Sequence, residues 1–329
     1  MKVLVTGATG FLGRHLALAL HKQGHEVTAA GRNDTIGEEL RQEGISFLPC
    51  HLEDTIRTEQ SCAGQDMVFH CGAMSSLWGS YHDFYDSNVT GTRNIVRGCL
   101  AHDVQRLIYV STPSIYFDYT DRTNIRESAP LPRKAANLYA ETKRLAELEI
   151  DKAFVNEGLP VITLRPRAIF GPGDPAIVPR LIEANRRGKL PLINGGQVVI
   201  DLTYIDNLVD ALLLCMTAPE SVFGRKYNIT NGEPVRFIDV LQHLFEQLGE
   251  PMRAKRIPYA AAYTVASIME GVARMTGSVK EPLLTRYSVG LLGKTQTLDI
   301  SAAREQLGYA PRRTIREGID LYVDWYKQQ

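Results

Sequence analysis

The sequence of 329 residues has no long hydrophobic run, no excess of either charge and few cysteines. A membrane-spanning helix needs roughly 20 consecutive apolar residues, and no segment approaches that length. The 37 basic and 37 acidic residues cancel, so the charge balance favours neither nucleic acid nor an anionic membrane surface as a partner. Residues 1–2 lead directly into an apolar run, which leaves no space for a signal peptide. We therefore expect a soluble, cytoplasmic protein without a membrane span.

The five cysteines are scattered along the chain and form no CxxC pair. An odd, scattered set is typical of buried thiols in a reducing compartment, and it indicates neither a disulfide framework nor a metal site. The sequence also lacks internal repeats and low-complexity tracts. We therefore predict no metal centre and look for the chemistry elsewhere in the chain.

Short apolar runs alternate with helical patterns through the first half of the chain. Apolar runs at 3–5, 26–30, 45–48, 67–70, 107–111 and 161–165 predict strands. Helical periodicity separates most of them, most clearly at 88–101 and 136–156. Strands that alternate with helices form parallel sheets with right-handed crossovers. The predicted fold class is α/β, a doubly wound parallel sheet of the Rossmann type.

The pattern changes near residue 165, where prolines and glycines become frequent between shorter elements. We predict a dinucleotide-binding domain at 1–165, to which the segment 198–216 returns. Residues 166–329 are predicted to form mainly a smaller mixed α/β cap that binds substrate. The helical segment 259–275 is apolar enough to be a lid or to touch a membrane; its short length and its charged residues Glu270 and Arg274 favour the lid.

The first strand runs directly into three glycines, Gly7, Gly10 and Gly13, and then into a helix. This arrangement places backbone N–H groups and a helix dipole against a pyrophosphate. An ordinary strand-to-helix turn is the alternative, because such triplets also occur by chance. The interpretation as a dinucleotide site extends to the other residues of the turn, Thr9, Phe11 and Leu12.

The ends of the next strands add candidates for the same cofactor. No carboxylate ends the second strand, where one would bind the free 2′-hydroxyl of NAD; Arg32 stands there instead and suits the 2′-phosphate of NADP. NADP is therefore the predicted cofactor, with NAD as the alternative and a solvated loop arginine as the plainer explanation. Small or flanking residues at the ends of the third and fourth strands complete the predicted set: His51, Leu52, Cys71, Gly72 and Ala73.

A Tyr-x-x-x-Lys pair, Tyr139 and Lys143, lies early in the second long helix, with both side chains on one face. A nearby ammonium favours the phenolate, which makes Tyr139 a candidate general acid/base. Such pairs are common by chance. However, the fifth strand ends in hydroxyl residues, of which Thr112 is preferred over Ser111 and Ser114 for holding a substrate oxygen.

These motifs together resemble the extended short-chain dehydrogenase/reductases, the NAD(P)-dependent epimerase/dehydratase family. The resemblance covers more than half the chain, in family order, through TGATGFLG at 6–13, NVTGT at 88–92, VSTPSIY at 110–116, YAETK at 139–143, LRPRAIFGPG at 164–173 and YID at 204–206. It implies that Tyr139 is the catalytic acid/base with Lys143 as its partner, and that Thr112 binds substrate. It also implies that Asn88 supports the active-site helix and that further residues line the cofactor: Ser111, Pro166, Ala168 and Ile169. The sequence departs from the family pattern at His51 and in HCGA at 70–73.

Within the family, SLWG at 76–79, STPS at 111–114, LLGKT at 291–295 and DISAAR at 299–304 resemble the 3β-hydroxysteroid dehydrogenase-like branch. The resemblance implies an NAD(P)-dependent oxidoreductase that interconverts a ketone and a secondary alcohol on an apolar small molecule, a 3-keto/3-hydroxy acid or a sterol-like compound. A nucleotide-sugar epimerase with retained NAD and a non-catalytic NADP-binding redox sensor remain alternatives. The family resemblance also implies a homodimer formed through the two long helices.

Overall fold

The computed structural model of the chain describes residues 1–278 and 280–329. Its strands, in chain order, are β1 Lys2–Thr6, β2 Glu26–Gly31, β3 Ser46–Pro49, β4 Met67–His70, β5 Arg106–Val110, β6 Arg122–Ile125, β7 Val161–Pro166, β8 Ile169–Phe170, β9 Leu190–Ile193, β10 Val199–Ile200, β11 Thr203–Tyr204, β12 Lys226–Ile229, β13 Val235–Arg236, β14 Ala254–Ile257 and β15 Gln296–Leu298.

Its α-helices are α1 Phe11–Lys22, α2 Asp34–Gln42, α3 Thr55–Gln60, α4 Tyr81–Tyr85, α5 Gly91–Ala101, α6 Leu138–Glu157, α7 Ile177–Arg186, α8 Ile205–Thr217, α9 Phe237–Leu248, α10 Tyr259–Met275, α11 Arg286–Gly293, α12 Ser301–Leu307 and α13 Ile315–Tyr326. A π-helical turn, Asp86–Thr90, precedes α5, and a 3₁₀ turn, Pro113–Tyr116, follows β5. Among the described residues, no helix combines the length and the apolar character needed to cross a bilayer.

The largest sheet is parallel throughout and has the strand order β12-β7-β5-β4-β1-β2-β3. The chain moves outward from β1 to β3, then returns to pair β4 with the other side of β1. Such a reversal leaves a crevice at the carboxyl ends of the central strands, where ligands bind in open α/β sheets. The predicted doubly wound Rossmann fold is confirmed.

Alternating residues of β1 show how the two faces of this sheet are covered. Val3 and Val5 are fully buried in one apolar cluster with α1 and α8, while Leu4 is buried in another cluster with α5 and α6. Successive side chains of a strand point to opposite faces, so a strand apolar at every position needs helices on both sides. The continuous run at 3–5 therefore indicates a central strand.

The smaller sheets exchange segments with the large one. β13, β10, β15 and β6 form a four-stranded sheet, and two-stranded pairs join β11 to β8 and β14 to β9. β6 comes from the segment predicted as dinucleotide-binding, whereas β12 comes from the predicted cap and extends the large sheet along β7. The chain thus adds a strand to the large sheet that ends at Ile229, outside the segment 198–216 that was predicted to return to it.

Candidate active site

One cleft opens at the carboxyl ends of β1, β4, β5 and β7. It brings together every predicted site residue except His51: Gly7, Thr9, Gly10, Phe11, Leu12, Gly13, Arg32, Leu52, Cys71, Gly72, Ala73, Ser111, Thr112, Tyr139, Lys143, Pro166, Ala168 and Ile169 all line it. The imidazole of His51 is exposed and lies 3.3 Å from the Glu53 carboxylate. Its neighbours Cys50 and Leu52 line the cleft instead.

The glycine turn has the geometry that a pyrophosphate requires. Gly7 has φ +66°, and a side chain there would lie 2.6 Å from the Cα of Gly72. A side chain at Gly13 would lie 2.3 Å from the carbonyl oxygen of Gly7, so α1 packs closely on β1 only with glycine there. Helix α1 begins after Gly10 with no side-chain cap and no acidic residue in its first turn. Its first N–H groups and its dipole are therefore available to an anion.

The Arg32 side chain is exposed on the cleft lining at the end of β2. The next residue, Asn33, is engaged in capping α2, since its side chain accepts from the backbone N–H of Ile36 at 3.2 Å. Asp34 begins that helix. Arg32 thus supplies the positive charge at the place where the adenine ribose lies in Rossmann sites.

Lys143 is fully buried beneath the cleft floor. Its Nζ donates to the carbonyl oxygen of Val110 at 2.7 Å and lies 4.2 Å from the ring centre of Tyr109. Burial lowers the pKa of Lys143 to about 7, against the opposing charges of Glu147 and Cys71. The ammonium is thus pinned at the end of β5 with N–H groups left for the cleft.

Tyr139 is half-buried on the same helix. Burial raises the pKa of its phenol to about 12, opposed by the neighbouring Thr112 hydroxyl. From the sequence, a nearby ammonium is expected to favour the phenolate; burial acts in the opposite direction, and a phenolate favoured by Lys143 stays a prediction. Tyr139 therefore holds its proton at neutral pH, as a general acid must.

Two of the hydroxyls that follow β5 have distinct partners. Ser111 donates its proton to the buried carboxylate of Glu147 at 2.5 Å. Thr112 exchanges hydrogen bonds with Ser114, at 3.0 Å between hydroxyls and 3.1 Å from the backbone N–H. A hydroxyl hydrogen rotates to suit its acceptor, so Thr112 can turn its donor toward a ligand, whereas Ser111 is committed. Thr112 therefore stays the hydroxyl that we predict to hold a substrate oxygen.

A buried ion pair that the sequence analysis missed supports the catalytic helix. Glu147 lies one turn after Lys143 and accepts from Arg165 Nε at 2.8 Å, while Lys226 Nζ lies 3.5 Å away. Burial alone would raise the pKa of Glu147, but hydrogen bonds and charge from Arg165 outweigh it and lower that pKa. The carboxylate joins α6 to β7 and β12 and keeps a negative charge near the Lys143 ammonium.

Asn88 holds the loop after β4 against α6. Its amide accepts from the backbone N–H of Met74 at 2.7 Å and donates to Met74 O and Thr142 Oγ1. The residue lies inside the π-helical turn, an irregularity that often marks functional sites. Asn88 thus supports the active-site helix, the role that the resemblance implies.

Helix α11 forms the cleft wall opposite α6, and no sequence signal predicted it. Tyr287 and Leu291 line the cleft, and Tyr287 OH donates to Ser114 Oγ at 2.8 Å. The helix is clamped by Glu270 of α10, which accepts from the Arg286 backbone N–H at 2.6 Å and from its side chain at 2.9 Å. Helix α10 itself contributes no lining residue among those described.

A second contact joins the loop after β4 to the end of α10. The loop carries Trp78, whose Nε1 donates at 2.9 Å to the carbonyl oxygen of Ser278, just after α10. The preceding residues Ser76 and Leu77 line the cleft. A loop that contributes to the cleft lining is therefore tied to the segment that follows α10.

A polar cluster between the large sheet and the cap also lines the cleft. Arg167 is 7% exposed, and its Nη1 donates to the amide oxygen of Gln296. Asp201 is buried nearby, and its Oδ2 accepts from the Leu298 N–H at 2.6 Å. Burial raises the pKa of Asp201 to about 6, against that hydrogen bond and the charge of Arg167. Arg167 stands inside the LRPRAIFGPG motif, but the sequence alone did not distinguish it as buried.

A glycine turn at β1 and a Tyr–Lys pair on α6 beside the end of β5 define a short-chain dehydrogenase/reductase site. The profile of the NAD dependent epimerase/dehydratase family matches residues 3–230. The chain belongs to this family and is an oxidoreductase of the short-chain dehydrogenase/reductase type with an NAD-type cofactor.

Relatives confirm the predicted 3β-hydroxysteroid dehydrogenase-like branch. A Stenotrophomonas maltophilia protein named 2-alkyl-3-oxoalkanoate reductase is 36% identical over 324 residues, covering 97% of each chain. The 3beta-hydroxysteroid-dehydrogenase/decarboxylase isoform 1 of Arabidopsis thaliana is 34% identical, covering 98% of this chain and 78% of that one. The structure of UDP-glucuronic acid 4-epimerase from Bacillus cereus in complex with NAD superimposes with a TM-score of 0.80 at 21% identity, covering 100% and 97% of the two chains. This last likeness shows the shared fold.

Proposed function

We propose that this protein is an NADP-dependent reductase that interconverts a ketone and a secondary alcohol on an apolar small molecule, with 3-keto/3-hydroxy acids and sterol-like compounds as the candidate substrates. One observation carries the proposal: Thr112, Tyr139 and Lys143 line the same cleft as the glycine turn. The names of the reductase and dehydrogenase relatives agree with it.

The chemistry follows from where each side chain holds its proton. When bound, the reduced nicotinamide supplies the hydride that the ketone carbon accepts. Thr112 and Tyr139 donate hydrogen bonds to the carbonyl oxygen as negative charge develops on it. Tyr139, whose raised pKa keeps it protonated, gives its proton to that oxygen. Lys143 then stabilises the phenolate by its charge.

Three features support NADP as the finer choice of cofactor. Arg32 is exposed at the end of β2 on the cleft lining, and the neighbouring Asn33 is occupied as a helix cap. No carboxylate ends β2, so the ribose 2′-position would meet a guanidinium. A planar guanidinium binds a phosphate through charge-assisted hydrogen bonds. The same cleft would hold the dinucleotide between the glycine turn and Lys143.

We also propose a cytoplasmic homodimer formed through α5 and α6. The five cysteines are free thiols, which suits a reducing compartment. Leu148 and Val155 of α6 are exposed apolar side chains, which a second copy would cover. Light scattering coupled to size exclusion measures the mass; a wild-type monomer of 36.6 kDa would contradict the dimer.

The test of function is turnover of a substrate panel with NADPH, covering 3-oxo acids, ketosteroids and nucleotide sugars. We expect reduction of at least one apolar ketone, and we expect Tyr139→Phe to lower kcat by about 10²–10⁴-fold. The matched control, Tyr81→Phe, removes an exposed hydroxyl and should leave kcat unchanged. Near-normal turnover by Tyr139→Phe, or epimerisation of a nucleotide sugar by a protein purified with bound NAD, would overturn the proposal.

A further inference from the structure

Arg167 is a buried cation whose hydrogen bonding is incomplete. Only 7% of the residue is exposed, and among the described residues its side chain bonds to a neutral amide oxygen, that of Gln296. The described ion pairs include none between Arg167 and a carboxylate, although Asp201 lies close enough for its pKa to respond. Keeping a guanidinium out of water without an anion is costly.

The unpaired nitrogen atoms of Arg167 are not fully buried. Its bond to Gln296 uses Nη1 and leaves Nε and Nη2. The fully buried polar atoms without a partner in the described chain include Asp201 Oδ1 and Gln296 Nε2, but neither Nε nor Nη2 of Arg167. These two nitrogens are therefore reachable from the cleft that Arg167 lines.

Other arginines of this chain bind carboxylates through the same edge, formed by Nε and Nη2, that is free in Arg167. Arg165 uses Nε and Nη2 to bind the two oxygens of Glu147, at 2.8 Å and 2.5 Å. Arg236 uses the same two nitrogens on Asp239, both at 2.8 Å. Two parallel N–H donors match the spacing of carboxylate oxygens. Arg167 presents that edge to the cleft with no carboxylate of the described chain on it.

The backbone beneath Arg167 is held in place. Its N–H donates to the Ile229 carbonyl at 3.1 Å, and the carbonyl oxygen of the next residue, Ala168, accepts from the Thr203 N–H at 3.2 Å. Ala168 has φ +43°, a left-handed conformation that costs a non-glycine residue energy and often occurs at functional sites. The guanidinium is thus presented from a rigid base.

The position also fits the proposed reaction. Val110 of β5 pairs with Leu164 of β7, so Thr112 and Arg167 follow the ends of neighbouring strands, about 4.8 Å apart in a sheet. In a 3-oxo acid, the carboxyl carbon lies about 2.5 Å from the ketone carbon by ordinary bond lengths and angles. A ketone held by Thr112 and Tyr139 therefore leaves its carboxylate within reach of the Arg167 side chain.

We propose that Arg167 binds the carboxylate of a 3-oxo or 3-hydroxy acid through its Nε and Nη2 edge and so selects acids over neutral ketones. The inference rests on the proposed function and narrows its substrate class. Asp201 also lines the cleft and opposes an anion when it is charged; one of its oxygens is engaged by the Leu298 N–H. The alkyl part of the substrate would lie along the apolar lining formed by Leu291, Leu292 and Leu181.

The kinetic test compares a stable pair of substrates in the oxidative direction, 3-hydroxydecanoate and its methyl ester, with NADP⁺. We expect wild-type kcat/KM to favour the acid by about 10–100-fold, the worth of one charge-assisted pair. Arg167→Gln should remove this preference by lowering kcat/KM for the acid while leaving kcat/KM for the ester unchanged. Arg167→Lys should keep part of the preference. The matched control, Arg180→Gln, removes a cleft cation already paired with Glu281 at 3.2 Å and should retain the preference.

Outcomes separate the two proposals. If wild type oxidises acid and ester equally and Arg167→Gln lowers both alike, the carboxylate site is wrong while the reductase stands. If wild type oxidises neither the acid nor the ester, the proposed function fails for this class of substrate. Calorimetric binding of 3-hydroxydecanoate then decides whether the carboxylate site exists. Binding that is lost in Arg167→Gln but kept in Arg180→Gln supports the site; equal or absent binding in wild type and Arg167→Gln overturns it. Circular dichroism checks that each variant is folded.

Discussion

Burial shifts the pKa values of the two candidate catalytic residues, Lys143 and Tyr139. The pKa of Lys143 falls to about 7 and the pKa of Tyr139 rises to about 12, in both cases mainly through desolvation. A protonated phenol is ready to act as an acid, as ketone reduction requires. To act as a base in alcohol oxidation, the same phenol must first lose its proton, which a nearby positive charge favours. The protonated phenol is thus the form that ketone reduction uses.

Arg32 gives the first residue-scale prediction, on cofactor choice. Arg32→Ala should weaken NADPH binding by about 10–100-fold and leave NADH binding within about twofold, because only the 2′-phosphate loses a charge-assisted partner. Fluorescence titration with each nucleotide measures both affinities. Arg133→Ala removes another exposed arginine that does not line the cleft and serves as the control. Equal losses for NADPH and NADH would remove the argument for the 2′-phosphate.

The site residues predicted from the sequence share one property: they stand in short motifs, at the ends of strands or, for Tyr139, on a helix. Thr112, Tyr139 and the glycines have local signals of this kind. Glu147 stands in no such motif, and nothing in its motif distinguishes Arg167, because the importance of both comes from burial against strands distant in sequence. An arginine in a loop motif and a glutamate on a helix are ordinary until their partners are known.

The helices and strands also divide into those with a local sequence signal and those without one. Helices with long periodicity, such as α5 and α6, were predicted within a few residues of their observed ends. Short elements such as β6, β14 and α11 were not predicted. A strand of two to four residues, or a short helix that ends in glycine, carries too little periodicity to be recognised. Helix α11 begins with a capping box of Thr285 and Ser288 and is held by Glu270, so tertiary contacts stabilise it.

The clamp between α10 and α11 yields the element-scale prediction. Glu270→Gln removes the charge that faces the Arg286 side chain at 2.8 Å and the helix N-terminus, so it should loosen α11 by about 2 kcal/mol. Amide hydrogen exchange should accelerate in 286–293 and not in α6, and KM should rise because Tyr287 lines the cleft. Glu305→Gln, an exposed change on α12, is the control. Unaltered exchange in α11 would show that Glu270 does not hold it.

At the scale of the molecule, the strands of the large sheet were predicted from the sequence. The strand pairings that join distant segments in the smaller sheets were not. Parallel strands buried on both faces are near-continuous apolar runs, which is why β1 to β5 and β7 could be predicted. The pairing of β6 with β15 joins segments more than 170 residues apart, and no local pattern encodes such a partner. The segments 1–165 and 166–329 are therefore joined by strand pairings that only the folded chain reveals.

A hydrogen-bond chain through His70 ties the centre of the sheet together. The Gly72 N–H donates to Thr6 Oγ1 at 3.2 Å, and Thr6 Oγ1 donates to His70 Nδ1 at 2.7 Å. On the other side, His70 Nε2 donates to Thr92 Oγ1 at 3.0 Å, which donates to Asn88 O at 2.6 Å. This order requires neutral His70. Burial, with the Lys143 charge, lowers the pKa of His70 to about 3.

Acid stability gives the whole-molecule prediction. The folded pKa of His70 is below its ordinary value of 6.5, so this stabilisation is complete above pH 6.5 and is lost as pH falls toward 3. The loss should reach about 1.4 kcal/mol per pH unit. Urea unfolding of wild type and His70→Gln at pH 7.5, 6.5, 5.5 and 5.0 should show the stability difference between them shrinking below pH 6.5. The exposed change His102→Gln should track wild type; a pH-independent difference for His70→Gln would contradict the prediction.

The bond between Trp78 and Ser278 has an optical consequence. Trp78 and Trp325 are the two tryptophans of the sequence, and the indole of Trp78 donates to Ser278 O at the contact between the loop after β4 and the end of α10. Loss of that contact would expose the partly buried indole further and shift its emission, while Trp325 on α13 would provide a background that this contact does not affect. The protein thus carries a native fluorophore beside residues that line the cleft, and a change at this contact becomes visible without any added label.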